Sequence, residues 1–233
     1  MSYHPIANHI YNLLIEDKIT EQEGEISFDF LQMPIKINRK DGIGNLFEEW
    51  LSGWMNKKGI YFTTKSQKFP DFLLEEYSKT KGLLEVKTFS DSPAFDVGNF
   101  KAYCHGLTTE AYILDADYLI FEYQLKNYKF KIENIWLKKI WEITGKSKDG
   151  TITHQKRGNK NDKNEKPEDK RIVNIRPSST SNWDSQTKDF KSRLDFVETL
   201  YDTLMQYYET KNNSVNWLQT VKNNYLYHTG NEL

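Results

Sequence analysis

The sequence holds one cysteine, Cys104, in 233 residues, which rules out an internal disulfide framework and suits a reducing compartment. No apolar run approaches the roughly 18 residues that a membrane span requires. The first ten residues, MSYHPIANHI, lack a basic segment leading into a continuous apolar one, so no secretory signal is expected. The expectation is a soluble cytoplasmic protein with no membrane partner. Histidine is scarce: His4, His9, His105, His154 and His228 are scattered without zinc-site spacing, and Cys104-His105 has no second cluster to join. A glycine-rich loop ending in Lys-Ser or Lys-Thr is absent, which argues against NTP hydrolysis. The net charge of −1 shows no overall basic excess. That excludes a uniformly basic surface only, because a carboxylate cluster can offset a local basic face. No internal repeat is visible.

What is present supports one domain of ordinary size. Hydrophobic residues make up 37% and aromatics 14%, enough for a core. A short helix is expected over Ile6 to Ile15, then strand-like sequence from Ile26 to Ile37. Leu46, Phe47, Trp50, Leu51 and Trp54 recur at helical spacing, with Glu48 and Glu49 flanking that face and Gly59 ending the helix. Ile60 to Thr63 reads as a strand. A helix is expected from about Gly98 to Glu110, a hairpin over Asp117 to Ile132, and a helix over Ile135 to Ile143 carrying Trp136 and Trp141. Gly158 to Lys170 has no large apolar residue and reads as a loop between strand-like Thr151-Ile152-Thr153 and Arg171 to Pro177. Two helices close the chain, Phe190 to Tyr208, with Leu194, Val197, Leu200, Tyr201 and Leu204 at core spacing, and Val215 to Tyr227.

The chemistry concentrates between Phe69 and Phe89. Acid-x-base triplets occur elsewhere, as Glu16-Asp17-Lys18, Glu168-Asp169-Lys170, Asp189-Phe190-Lys191 and Glu209-Thr210-Lys211, where a solvated face or loop explains them. Glu85-Val86-Lys87 lies instead in apolar, strand-like sequence. Alternation sets Glu85 and Lys87 on one face, and Leu84, Val86 and Thr88 on the other. Such a pair is costly to bury without partners. Asp71, after Pro70, supplies one if two antiparallel strands join through Tyr77 to Gly82. Asp71 and Glu85 are hard oxygen ligands suited to Mg²⁺. Lys87 can orient a water, neutralise charge on the reacting phosphate, or accept a proton if burial depresses its pKa.

Pro70-Asp71 with Glu85-x-Lys87 resembles the PD-(D/E)xK nuclease superfamily, and the helix containing Phe47-Glu48 resembles its N-terminal helix. The resemblance implies a catalytic set of Asp71, Glu85, Lys87 and Glu48, with Glu48 preferred to Glu49. It also implies metal positions at Asp71, Glu85 and Val86. Ile140 to Gly145 and Val173 to Pro177 resemble type II restriction endonucleases of the NgoBV/NlaIV kind, over residues 40–180. The charged insertion at 158–170 departs from that pattern. The implied fold is α/β, a restriction-endonuclease-like core with a mixed β-sheet flanked by helices and C-terminal helices added. Within a single nuclease domain, 1–233, the catalytic core would span about 40–145, a DNA-recognition segment about 146–182, and the C-terminal helices 187–227.

The implied activity is Mg²⁺-dependent cleavage of double-stranded DNA at a short palindrome by a homodimer, with a cognate methyltransferase protecting host sites. On the target, the resemblance offers GGNNCC. Two other readings stand beside it: a repair or junction-resolving nuclease of the same superfamily, and a non-catalytic DNA-binding protein that keeps the fold. Between Lys156 and Arg171 seven bases face four acids, an excess of three, which marks the expected electrostatic footprint on DNA. Gln155, Lys156, Arg157, Asn174 and Arg176 are the candidate DNA contacts, since Arg pairs bidentately with guanine and Gln or Asn with adenine. Ser90, in the loop after the catalytic strand, is a candidate phosphate donor.

Overall fold

The computed structural model describes residues 2–64, 69–157, 171–185, 188–208 and 216–233. The charged segment 158–170 therefore lies outside the described residues. In chain order the elements are α1 (Pro5–Glu16), β1 (Glu23–Gly24), β2 (Ser27–Phe30), β3 (Met33–Lys36), α2 (Ile43–Lys57), β4 (Thr63–Thr64), β5 (Phe72–Leu73) and β6 (Leu83–Phe89). There follow β7 (Gly98–Asn99), α3 (Phe100–Gly106), β8 (Asp117–Lys126), β9 (Lys129–Lys139), α4 (Ile140–Ile143), β10 (His154–Arg157) and β11 (Arg171–Ile175). The last helices are α5 (Thr180–Trp183), α6 (Arg193–Tyr208) and α7 (Trp217–Thr229). The chain forms two compact units, Met1–Ser92 with Ala116–Lys138, and Pro93–Asp115 with Lys139–Leu233.

The first unit is built on a six-stranded mixed sheet of order β1-β9-β8-β6-β5-β4. β6 runs parallel to β8, with Glu85 beside Tyr118 and Lys87 beside Ile120, while β5 pairs antiparallel with β6. Helices α1 and α2 pack on the sheet through Ala7, Ile10 and Leu14 and through Ile43, Phe47, Leu51 and Met55, against Leu84, Val86, Leu119 and Phe121. This is the expected α/β class, a mixed sheet with flanking helices.

Helix α2 differs from the expected face. Its buried stripe is Ile43-Phe47-Leu51-Met55, strict i, i+4 spacing, whereas Leu46 and Trp50 are each 44% exposed. The large side chains at 46 and 50 mimic a core stripe, but the residues that meet the sheet lie one step round the helix. The strand expected at Ile60 to Thr63 begins only at Thr63.

A larger correction concerns Ile135 to Ile143. β9 continues to Lys139, and only Ile140–Ile143 is helical, so Trp136 belongs to a strand. Ile135, Leu137 and Lys139 are buried at period two. Lys139 joins that pattern because its Nζ donates to the Asp115 carbonyl at 2.6 Å, which allows a lysine at a core position.

The second unit carries a three-stranded sheet, β10-β11-β7, and helices α3 to α7. The expected strand at Thr151 to Thr153 is displaced to β10, and only an isolated bridge joins Ile152 to Lys146. The helix expected from Gly98 is the shorter α3, and Gly98–Asn99 instead pairs with β11. On α6 the buried residues are Phe196, Val197, Thr199, Leu200 and Thr203; Leu194, Tyr201 and Leu204 lie partly open.

Candidate active site

Strands β5 and β6 bring the site together. Register sets Phe72 opposite Leu84 and Leu73 opposite Leu83, so Asp71 falls just beyond the pairing, level with Glu85. The intervening turn ends at Gly82, φ +67°, where a side-chain carbon would lie 3.2 Å from Leu74 Cβ and from the Glu75 nitrogen. Both the backbone angle and the space demand glycine there. The Leu74 N–H donates to the Gly82 carbonyl at 2.9 Å and closes the hairpin.

The Val86 N–H donates to Asp71 Oδ2 at 2.7 Å, which ties the carboxylate to the strand carrying the other two groups. Lys87 Nζ donates to Glu85 Oε1 at 2.6 Å. Glu85 is only 7% exposed, and its second oxygen, Oε2, is buried without a hydrogen-bond partner. An orphaned buried carboxylate oxygen is expensive unless something positive meets it.

The electrostatics point the same way. Burial raises the Asp71 pKa, against the opposing effects of the Val86 N–H and Lys87. Burial also raises Glu85; Lys87 opposes the rise and the Asp71 charge adds to it. Glu48, on α2, is pushed from 4.5 up to about 7 by burial and by the charges of Asp71 and Glu85. Three acids thus share one region with one base, and the charge of Asp71 raises both Glu85 and Glu48.

Burial alone would lower Lys87, but Glu85, Asp71 and Glu48 outweigh it and hold it above the ordinary lysine value. These acids favour the charged form of Lys87, which suits orienting water and neutralising phosphate charge.

The donor set fits a hard divalent ion. Among the described residues no three His, Cys, Asp or Glu side chains form a ready-made metal cluster. Mg²⁺ does not require one: it binds through one or two carboxylates and completes its shell with water and phosphate oxygens. Asp71 and Glu85 supply that minimum, with Glu85 Oε2 the unsatisfied acceptor. Val86, with a buried side chain and its N–H already given to Asp71, has only its carbonyl oxygen to offer an ion.

Ser90 follows β6 directly and is half-buried, at a turn where Asp91 takes φ +70°. The candidate DNA contacts lie in the second unit. Gln155 and Asn174 face each other across β10 and β11, and Asn174 Nδ2 donates to Gln155 Oε1 at 3.3 Å. Arg157 pairs in register with Arg171, both exposed. Lys156 is less free than expected: Nζ donates to the Tyr207 hydroxyl and sits 4.5 Å from that ring's centroid. Arg176 is also engaged, donating through Nη1 to the Ala94 carbonyl at 2.6 Å and to Asp96 Oδ1 at 2.7 Å. Tyr207 and Asp96 were invisible as partners in the sequence, because 51 and 80 residues separate them from the groups they hold.

Comparison with known proteins gives this geometry its context. The family model described as NgoBV restriction endonuclease matches residues 5–233. The type II restriction enzyme NlaIV of Neisseria lactamica is 36% identical over 234 residues, which cover 95% of this chain and 90% of that protein. The type II restriction enzyme NgoBV of Neisseria gonorrhoeae is 38% identical over 153 residues, covering 62% of this chain and 85% of that one. A solved structure of NlaIV restriction endonuclease superposes with a TM-score of 0.83 at 32% identity, over 97% of this chain and 91% of that chain. The chain belongs to the NgoBV restriction endonuclease family and is a type II restriction endonuclease of that kind.

Proposed function

We propose that this endonuclease hydrolyses both strands of duplex DNA at a short palindrome, with Mg²⁺ held by Asp71, Glu85 and the Val86 carbonyl. The observation that carries the reading is the Asp71–Glu85–Lys87 cluster around the buried Glu85, with Glu48 in its field and one carboxylate oxygen left without a partner. When bound, the ion polarises the scissile phosphate and lowers the pKa of a coordinated water. Asp71, fixed by the Val86 N–H, and Glu85, fixed by Lys87, present preorganised acceptors that need little rearrangement. The Lys87 ammonium orients the attacking water and offsets charge gathering on the phosphate. Glu48 is the third acid of the site, raised by burial and by the charges of Asp71 and Glu85.

The first unit then carries the chemistry and the second the reading of sequence. Arg157, Lys156 and Arg176 supply positive charge, and the Gln155–Asn174 amide pair supplies the donor and acceptor set that adenine edges take. Ser90 is a phosphate contact. Cutting both strands of a palindrome calls for two sites related by a dyad, hence a homodimer. No described helix is long and apolar enough to cross a membrane. The proposed setting is the cytoplasm, beside a methyltransferase that protects host sites. Neither a repair nuclease nor a non-catalytic binder has an observation in its favour.

The test uses duplex fragments with and without the site. Asp71→Asn is expected to bind the cognate duplex in Ca²⁺ as the unaltered protein does, yet to leave it uncut in Mg²⁺. Cutting at the unaltered rate would remove Asp71 from the mechanism.

A further inference from the structure

The β2–β3 hairpin has one apolar face. Register sets Phe28 opposite Ile35 and Phe30 opposite Met33, while Ser27, Asp29, Pro34 and Lys36 share the other face. Alternation of this kind normally marks a face that is covered. Here the four apolar residues are 53%, 51%, 63% and 67% exposed, in the order Phe28, Ile35, Phe30, Met33. Leu31, in the left-handed turn at φ +52°, is 83% exposed where asparagine or glycine is usual. Among the described residues nothing covers that face, and a hairpin of two short strands is marginal by itself.

Beside the hairpin, α2 exposes two more large apolar residues, Leu46 and Trp50. A cavity of about 430 Å³ joins the foot of the hairpin, at Ile26 and Ser27, to the exposed Leu46 and Trp50. At ordinary side-chain areas, Phe28, Phe30, Leu31, Met33 and Ile35 together expose roughly 600 Å², the share one partner gives at the lower end of the range for stable interfaces. Scattered apolar residues on a monomer need no partner, but apolar side chains gathered on one face of a hairpin mark an interaction site.

We propose that this face docks against the same face of a second copy of the chain across a twofold axis. The inference rests on the reading of the protein as a homodimeric duplex-cutting enzyme, and assigns that dimer its surface. The charges beside the patch favour protein over nucleic acid: Glu25 and Lys36 neutralise each other at 2.6 Å, and Asp29 adds a negative charge where phosphate binding calls for a basic stripe. An uncharged apolar face is also self-complementary, as an isologous contact requires. The arrangement leaves the candidate active site accessible. At 100° per residue, Leu46 and Trp50 flank one edge of the buried α2 stripe and Glu48 the other.

The experiment measures mass in solution by sedimentation at micromolar concentration, for the unaltered protein, Phe30→Lys/Met33→Lys, and Lys36→Ala on the polar face as control. The unaltered protein and the control are expected at the mass of two chains. The double variant is expected as one chain, its self-affinity weakened by about a hundredfold or more, with an unchanged far-UV circular dichroism spectrum. Hydrogen exchange of the unaltered protein at low and high concentration gives a readout without mutation: protection of residues 27–36 rises as the dimer forms. A dimeric double variant, or concentration-independent exchange there, overturns the assigned surface while leaving a homodimer intact. A monomeric unaltered protein overturns the surface and the homodimer together, and Mg²⁺-dependent cutting by that monomer would show the nuclease reading still standing.

Discussion

Glu48→Gln should stabilise the protein in the absence of divalent ions, and the gain should depend on pH. In the folded chain Glu48 sits at about 7, against 4.5 for an unperturbed glutamate. Between those values the folded protein holds a proton that the unfolded chain releases, so unfolding gains free energy as pH rises. The contribution of the protonated acid is fully present below about 4.5 and is lost as pH climbs through about 7. Glutamine, neutral in both states, loses nothing over that range. At face value the shift is worth about 3 kcal/mol, but the side chain is only partly buried and solvent screening reduces this to about 1 kcal/mol. For a chain of this length that is about 2–4 °C in Tm. Melting both proteins in EDTA at pH 5 and pH 8 reads the effect directly. The variant's advantage is expected to be larger at pH 8, and excess Mg²⁺ should erase it by stabilising the unaltered site more. A pH-independent difference, or a variant less stable at pH 8, would refute the claim that Glu48 lies in the field of Asp71 and Glu85.

Three further outcomes follow from the same geometry. Lys87→Met removes the ammonium that donates to Glu85 Oε1 and should abolish cleavage; breaking a buried pair costs about 3–5 kcal/mol, less as pH falls because burial raises the Glu85 pKa and eases its protonation, which denaturant titrations at a series of falling pH values would detect. Gly82→Ala forces a side chain into a left-handed turn against Leu74 and Glu75, and a loss of about 1–3 kcal/mol is expected in urea unfolding. Arg176→Ala should weaken cognate binding by about 1–3 kcal/mol in fluorescence anisotropy if the guanidinium reads a base; an equal loss on random duplex would make it a phosphate contact.

That Asp71, Glu85 and Lys87 would meet was legible in the sequence because the signal is local. Strand alternation sets Glu85 and Lys87 on one face, and a short turn returns Asp71 to them, so 17 consecutive residues hold the cluster. The hairpins and terminal helices were legible for the same reason. Reading failed where tertiary partners decide. Ile135 to Ile143 has apolar residues at helical spacing, and only the Asp115 carbonyl, which receives Lys139, reveals the period of two. On α2 the choice between the stripe through Leu46 and Trp50 and the stripe through Ile43 and Met55 is made by the sheet beneath. The engagement of Lys156 by Tyr207 and of Arg176 by Asp96 depends on contacts too distant in sequence for any pattern to show.

The central claim is that Asp71, Glu85 and Lys87 form the metal-dependent catalytic site of a sequence-specific endonuclease. Its most direct test is digestion of one plasmid of known sequence by the unaltered protein and by Asp71→Asn, in Mg²⁺ and in EDTA, with every end mapped. Discrete fragments ending at one palindrome are expected, only for the unaltered protein and only with Mg²⁺. Cutting by Asp71→Asn, or equal cutting in EDTA, would contradict it.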